Sequence, residues 1–199
     1  MKTNISVALL FAGAMTLQAC GSNENKATGV DSSITDTNVV DHSAYVTTDT
    51  LAADPGKDPA KFAEQAAIGG MMEVEAGKIA HEKTKNQQVK DFASMMIKDH
   101  TAAATELDAI AKRKQMSLPT MLPSTEQAHL DEMKKMSGDD FDKHYMDMMV
   151  NDHKKTVDLF KSATENTDAE LGAFAKKTLK VIEGHHKLAQ DINGVLKAK

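Results

Sequence analysis

Met95-Met96-Ile97-Lys98-Asp99-His100 comes back, nearly copied, as Met148-Met149-Val150-Asn151-Asp152-His153, and an aromatic residue precedes each copy at the matching position, Phe92 and Tyr145. Around each histidine apolar residues recur at steps of three and four. They are Val89, Phe92, Met96, His100, Ala103, Leu107 and Ile110 in the first stretch, and Phe141, Tyr145, Met149, His153, Val157 and Phe160 in the second. That period marks an amphipathic α-helix, so two long helices each carry a histidine on the inward stripe.

Two more long helices enclose them. Asp58-Pro59, a capping residue followed by proline at the first helical position, opens a helix to about Thr84. Its inward line, Phe62, Ala66, Gly69, Glu73, Ala76 and Ala80, holds one carboxylate among small residues. Asn86 starts the first Asp-His helix after so short a connection that the two must run antiparallel. Pro119 and Pro123 stop helix propagation, and Ser124-Thr125-Glu126-Gln127 reads as a capping box for a short helix over about 124–137. At 1.5 Å per residue this piece spans roughly 20 Å, enough to carry the chain along a bundle. Asp139 and Asp140 open the second Asp-His helix, and Thr167-Asp168-Ala169-Glu170 reads as a capping box for the last. The last stripe, Leu171, Phe174, Thr178, Val181, His185, Leu188, Ile192 and Val195, alternates steps of three and four and turns His185 inward. The expected fold is all-α: a ferritin-like four-helix bundle over residues 58–199, with a short crossover helix between long helices two and three.

Composition agrees. Charged residues make up 27% of the 199 residues and aromatics 4%, with no tryptophan, a mixture that favours helix over strand. Lys and Arg number 24 against 29 Asp and Glu, a formal charge of −5. No basic cluster with interleaved aromatics is present, so the attraction to phosphate that nucleic-acid binding requires is lacking.

The N-terminus carries an address. Lys2 and an apolar core from Ile5 to Leu17 form an export signal over residues 1–19, too short to remain as a spanning helix. Leu17-Gln18-Ala19-Cys20-Gly21 resembles the lipobox of bacterial lipoproteins, which implies lipid attachment at Cys20; an ordinary secretory signal with Cys20 incidental is the other reading. Cys20 is the only cysteine, which excludes disulfides, thiolate metal sites and cysteine nucleophiles. Acyl chains contribute about 0.8 kcal/mol per buried methylene, so the expected partner is a bilayer. Gly21, in place of an aspartate, points to the outer membrane of the cell envelope. From Cys20 to Lys57 no period persists among Ser, Thr, Asn, Asp and Gly, and the stretch reads as a flexible tether reaching on the order of 30 Å.

Glu73, His100, His153 and His185 all fall near the middle of their helices and face inward, so a buried polar layer is expected. Unpaired, such groups cost about 1 to 3 kcal/mol each, which leaves three explanations. Glu73 is ionised and accepts hydrogen bonds from the imidazoles, with water filling the gap. Alternatively the four residues hold a single transition-metal ion, Zn, Fe, Mn or Cu. A third possibility is Cu(I), because Met96 and Met149 precede His100 and His153 by one helical turn. Asp99 and Asp152, each directly before a histidine, point to the helix flank and are candidates for a supporting role across helices. His81, His129 and His144 sit among charges and read as solvated surface, and His186 reads as off the inward face. No phosphate loop, Gly-x-Ser-x-Gly elbow, His-Glu-x-x-His or nucleophile-base pair is present, and nothing recommends an enzyme.

Met71-Met72-Glu73-Val74-Glu75, Met96-Ile97-Lys98-Asp99-His100-Thr101, Ser137-Gly138-Asp139-Asp140-Phe141-Asp142, Val150-Asn151-Asp152-His153 and His185 together resemble the bacterial family catalogued as domain of unknown function 4142. The resemblance runs from about residue 62 to 196. It departs at Lys180, where members often carry proline, and at His186, where they often carry leucine. It implies a ferritin-like bundle in an exported or outer-membrane protein and no reaction. The resulting expectation is a lipid-anchored envelope protein, non-catalytic, with one metal ion in the His/Glu layer. The alternative is an interaction or stress-related envelope protein in which that layer is only structural.

Overall fold

The computed structural model describes residues 54–198, and among these the chain forms five helices and no strand. The helices are α1 (Pro59–Lys83), α2 (Gln87–Arg113), α3 (Ser124–Lys135), α4 (Gly138–Ala163) and α5 (Ala169–Lys197). The expected signal sequence, Cys20 and the tether up to residue 53 lie outside the described residues. Residues 54–57, expected within the tether, lie against the turn after α4. There Asn166 Nδ2 donates to Gly56 O at 2.7 Å and Lys57 pairs with Glu165 at 3.1 Å.

Helix starts follow local chemistry. Asp58 caps α1 by accepting from Lys61 N at 3.0 Å with Pro59 behind it, and Asn86 caps α2 through Gln88 N. Two caps differ from the sequence expectation. Pro123, without a side-chain bond, stands at the α3 N-cap, and Gln127 of the supposed capping box donates to Asp131 further along its own helix. For α5 the cap is Asp168 rather than Thr167. Its carboxylate accepts from Glu170 N and Leu171 N and is held by Lys114 at 2.6 Å, so the charged neighbour outcompetes the hydroxyl. Gly138 takes φ 63°, the left-handed turn that swings the chain from α3 into α4.

The long helices pair as two hairpins, α1 along α2 and α4 along α5. Narrower contacts of α2 with α5 and α1 with α4 join them, and α3 lies across α1 and α4. Contacts at the ends fix the directions. Lys57–Glu165 and Lys114–Asp168 gather the start of α1, the end of α2, the end of α4 and the start of α5. At the far end Lys83 Nζ donates to Lys134 O at 2.8 Å, and Asn193 Nδ2 donates to Asp147 Oδ1 at 2.7 Å. Hence α3 returns the chain along the molecule between the hairpins.

The apolar interior comes in two clusters. One, around Phe92, Tyr145, Met149 and Ile192, lies toward the α3 end; the other, around Phe62, Leu107, Phe160 and Phe174, lies toward the opposite end. Glu73, His100, His153 and His185 fall between them along every helix and are buried. The α2 and α4 stripes are inward as expected. On α5 the stripe rotates: Ile182, Ala189 and Leu196 are buried, while Val181, Leu188 and Val195 are 43%, 39% and 45% exposed. Both flanks of the column Leu171, Thr178, His185 and Ile192 carry apolar residues, and docking buries the flank of Ala175, Ile182, Ala189 and Leu196, the same alternation taken in the opposite order. No described helix is long and apolar enough to cross a membrane.

Candidate metal centre

Three rings meet in the layer between the two clusters, one each from α2, α4 and α5. The ring centroids of His100, His153 and His185 are 5.4 to 5.6 Å apart, and one ring nitrogen from each lies within 4.8 Å of the others. Nitrogens bound to one tetrahedral zinc stand roughly 3.3 Å apart, so the trio is slightly wider than a closed site.

Neighbours settle the tautomers of two rings. His153 Nδ1 lies 3.0 Å from Met149 O and His185 Nε2 lies 3.1 Å from Asp99 Oδ2; both oxygens are acceptors, so both nitrogens carry the proton. The other nitrogen of each ring, His153 Nε2 and His185 Nδ1, therefore keeps its lone pair. These two and His100 Nε2 are buried with no hydrogen-bond partner in the protein. Burial keeps the rings uncharged. It pushes His100 down to about 4, with His185 adding to the effect and Asp99 opposing it. His153 falls to about 3, through burial first and the neighbouring imidazoles second, against the Met149 carbonyl. His185 is also lowered by burial, with Asp99 restoring part of the shift.

Glu73 stands beside the trio rather than within it. Its Oε1 is 3.5 Å from His153 Nδ1, the nitrogen already bonded to Met149, and its Oε2 has no partner. Burial, helped by the negative charge of Asp152, raises the Glu73 carboxyl to about 8. The contact has ion-pair distance, yet at neutral pH it joins two uncharged groups, because neither charge survives desolvation there. The imidazole hydrogen bonds expected at Glu73 go instead to Met149 O and to Asp99 Oδ2.

The two aspartates part company. Asp99 reaches across to α5 and orients His185, whereas Asp152 Oδ1 pairs with Lys155 at 3.1 Å and touches no ring. Sequence reasoning missed the Met149 carbonyl and misread His129 and His144, which are half-buried with Nε2 atoms 3.2 Å apart across α3 and α4. His186 is also half-buried, and its Nε2 is enclosed without a partner. The one available signal for the first of these was that an inward histidine can reach the carbonyl one turn back.

No curated protein matches the chain. Among solved structures it is similar to a DUF305 fragment from Deinococcus radiodurans, 10% identical with a TM-score of 0.62, covering 68% of this chain and 94% of that one. A DUF305 protein from Streptomyces coelicolor is 16% identical with a TM-score of 0.61, covering 69% and 91%. At such identities the likeness is one of helical fold. The family described as domain of unknown function DUF4142 matches residues 46–192, about three quarters of the sequence, and the chain belongs to that family.

Proposed function

We propose that this is a lipid-anchored cell-envelope protein whose helical domain binds one transition-metal ion on His100, His153 and His185 and catalyses no reaction. The observation that carries the reading is the set of three bare, buried imidazole nitrogens from three helices. Such a set is costly if left unpaired and matches the donors that zinc, copper and iron prefer; manganese, which favours oxygen, suits it least. Support also comes from Asp99, since a carboxylate behind a ligating imidazole fixes its tautomer and raises its basicity. Glu73 is the reserve fourth ligand, because its Oε2 is unpartnered and the residue lines the same small cavity as His100. The domain is read as a ferritin-like four-helix bundle with α3 as its crossover.

Titration of the metal-free chain with zinc, iron, manganese and copper tests this. One equivalent should bind with a Kd below about 10 μM, near −7 kcal/mol, and be lost in His153→Leu. Failure of all four ions to bind that tightly sinks the metal reading and leaves the layer structural, an outcome consistent with rings already neutral and partly hydrogen-bonded. The anchor rests on Leu17-Gln18-Ala19-Cys20-Gly21; a structural neighbour described as a secreted protein supports export alone. Cys20→Ala should move the protein from the membrane pellet to the soluble fraction.

A further inference from the structure

Outside the interior trio, His129 on α3 and His144 on α4 face each other with Nε2 atoms 3.2 Å apart and ring planes at 77°. Two imidazole nitrogens on one ion, each about 2.0 to 2.1 Å from it, stand roughly 3 to 3.4 Å apart. The spacing therefore suits a shared cation as well as a shared proton. Both rings are half-buried, so an ion held there keeps positions open to water.

One ring of the pair, His129, faces a passage. His129 lines a groove of about 550 Å³ between α1, α3 and α4, whose walls also carry Glu126, Asp152 and, at depth, Glu73. A smaller cavity of about 40 Å³ touches Glu73 and reaches His100. The two cavities share Gln65, Gly69, Glu73, Thr156 and Leu159, so they abut along α1 and α4. At Gly69, which lines both, a Cβ would meet nothing within 4 Å, so the junction there is open space that a larger side chain can fill. We propose that His129 and His144 form an outer divalent-cation site, and that the groove past Gly69 delivers its ion to the interior histidines. The outer site stands on the pair's own geometry; the delivery step rests on the interior metal reading.

Zinc binding to the metal-free full chain, followed at equilibrium and in loading time courses, tests both parts. The parent should take two equivalents, the outer one weaker. The double variant H129N/H144N should lose the weaker equivalent and load the interior at least tenfold more slowly, with the interior Kd unchanged. Gly69→Leu, which removes no ligand and fills open space, should keep both equivalents and slow interior loading to a similar degree. A double variant that matches the parent in stoichiometry and loading rate overturns the proposal and makes the pair a hydrogen-bonded staple. Loading of Gly69→Leu at the parent rate overturns the delivery step. A single equivalent that survives His153→Leu but not H129N/H144N upholds the outer site while sinking the interior reading; a single equivalent lost only with His153 overturns the outer site.

Discussion

Asp99 and His185 belong to different helices, α2 and α5, and meet through one bond of 3.1 Å from the imidazole Nε2–H to the carboxylate. That bond joins the two hairpins at the level of the polar layer and leaves His185 Nδ1 as the ring's lone-pair atom. Asp99→Ala should weaken metal affinity about 10- to 100-fold, the usual cost of losing such a support. Asp152→Ala, at the matching position of the repeat, should leave affinity within about threefold, since Asp152 pairs with Lys155 instead. Competition titration against a chromophoric chelator measures both.

Metal-free protein should be most stable near pH 6.5. The imidazoles of His100 and His153 titrate near 6.5 when unfolded but near 4 and 3 when folded, and His185 shifts in the same direction. The unfolded chain thus binds more protons at these rings as pH falls, and their contribution is lost below 6.5. Glu73 acts oppositely: its carboxyl is raised from 4.5 to about 8, so the folded state holds the extra proton and stability falls as pH rises from 4.5 through 8. Each uncompensated proton is worth about 1.4 kcal/mol per pH unit. Between 4.5 and 6.5 two or more imidazoles outweigh one carboxyl, giving an acid slope of at least about 1.4 kcal/mol per unit; from 6.5 to 8 Glu73 alone gives a similar slope of opposite sign. Denaturant melts from pH 5 to 8 decide it, and Glu73→Gln should flatten the alkaline limb and steepen the acid limb by about 1.4 kcal/mol per pH unit.

Asp168→Ala should destabilise by about 1 to 2 kcal/mol, because it strips the cap from two backbone N–H groups at the start of α5. Thr167→Ala, altering only a 3.5 Å contact with Lys57 O, should change stability by less than about 0.5 kcal/mol. Urea midpoints at constant m-value separate the two.

Phe62→Ala should cost about 3 to 5 kcal/mol. The ring is fully buried, packs edge-on against Phe160 at 5.1 Å and lies tilted against Phe174 at 6.3 Å, tying α1 to both helices of the other hairpin. Thermal unfolding of the variant checks the magnitude.

The polar layer was legible because local spacing decides it: Glu73, His100, His153 and His185 share their helices' inward faces with Phe62, Phe92, Tyr145 and Leu171, and all are buried. The edge of α5 was less so, since Val181 and Val195 on one flank and Ile182 and Leu196 on the other fit a three-four rhythm equally well, and only docking chooses between them. Contacts between helices were the least readable. His129 meets His144 only because α3 lies across α4, and the Glu73 carboxyl is pushed up by burial among docked helices and by Asp152 of α4; neither condition leaves a mark on nearby sequence. The caps at Pro123 and Asp168 each stand one residue from the capping-box reading, and at α5 it is the Asp168 carboxylate that takes the backbone N–H groups.

The three rings come from both hairpins, one from α2 and two from α4 and α5. An ion gripped by all of them is a rivet through the seam, so its release and the parting of the two halves become one event. Residence time then tracks how often the seam breathes, and a loaded chain resists proteolysis at both hairpins together.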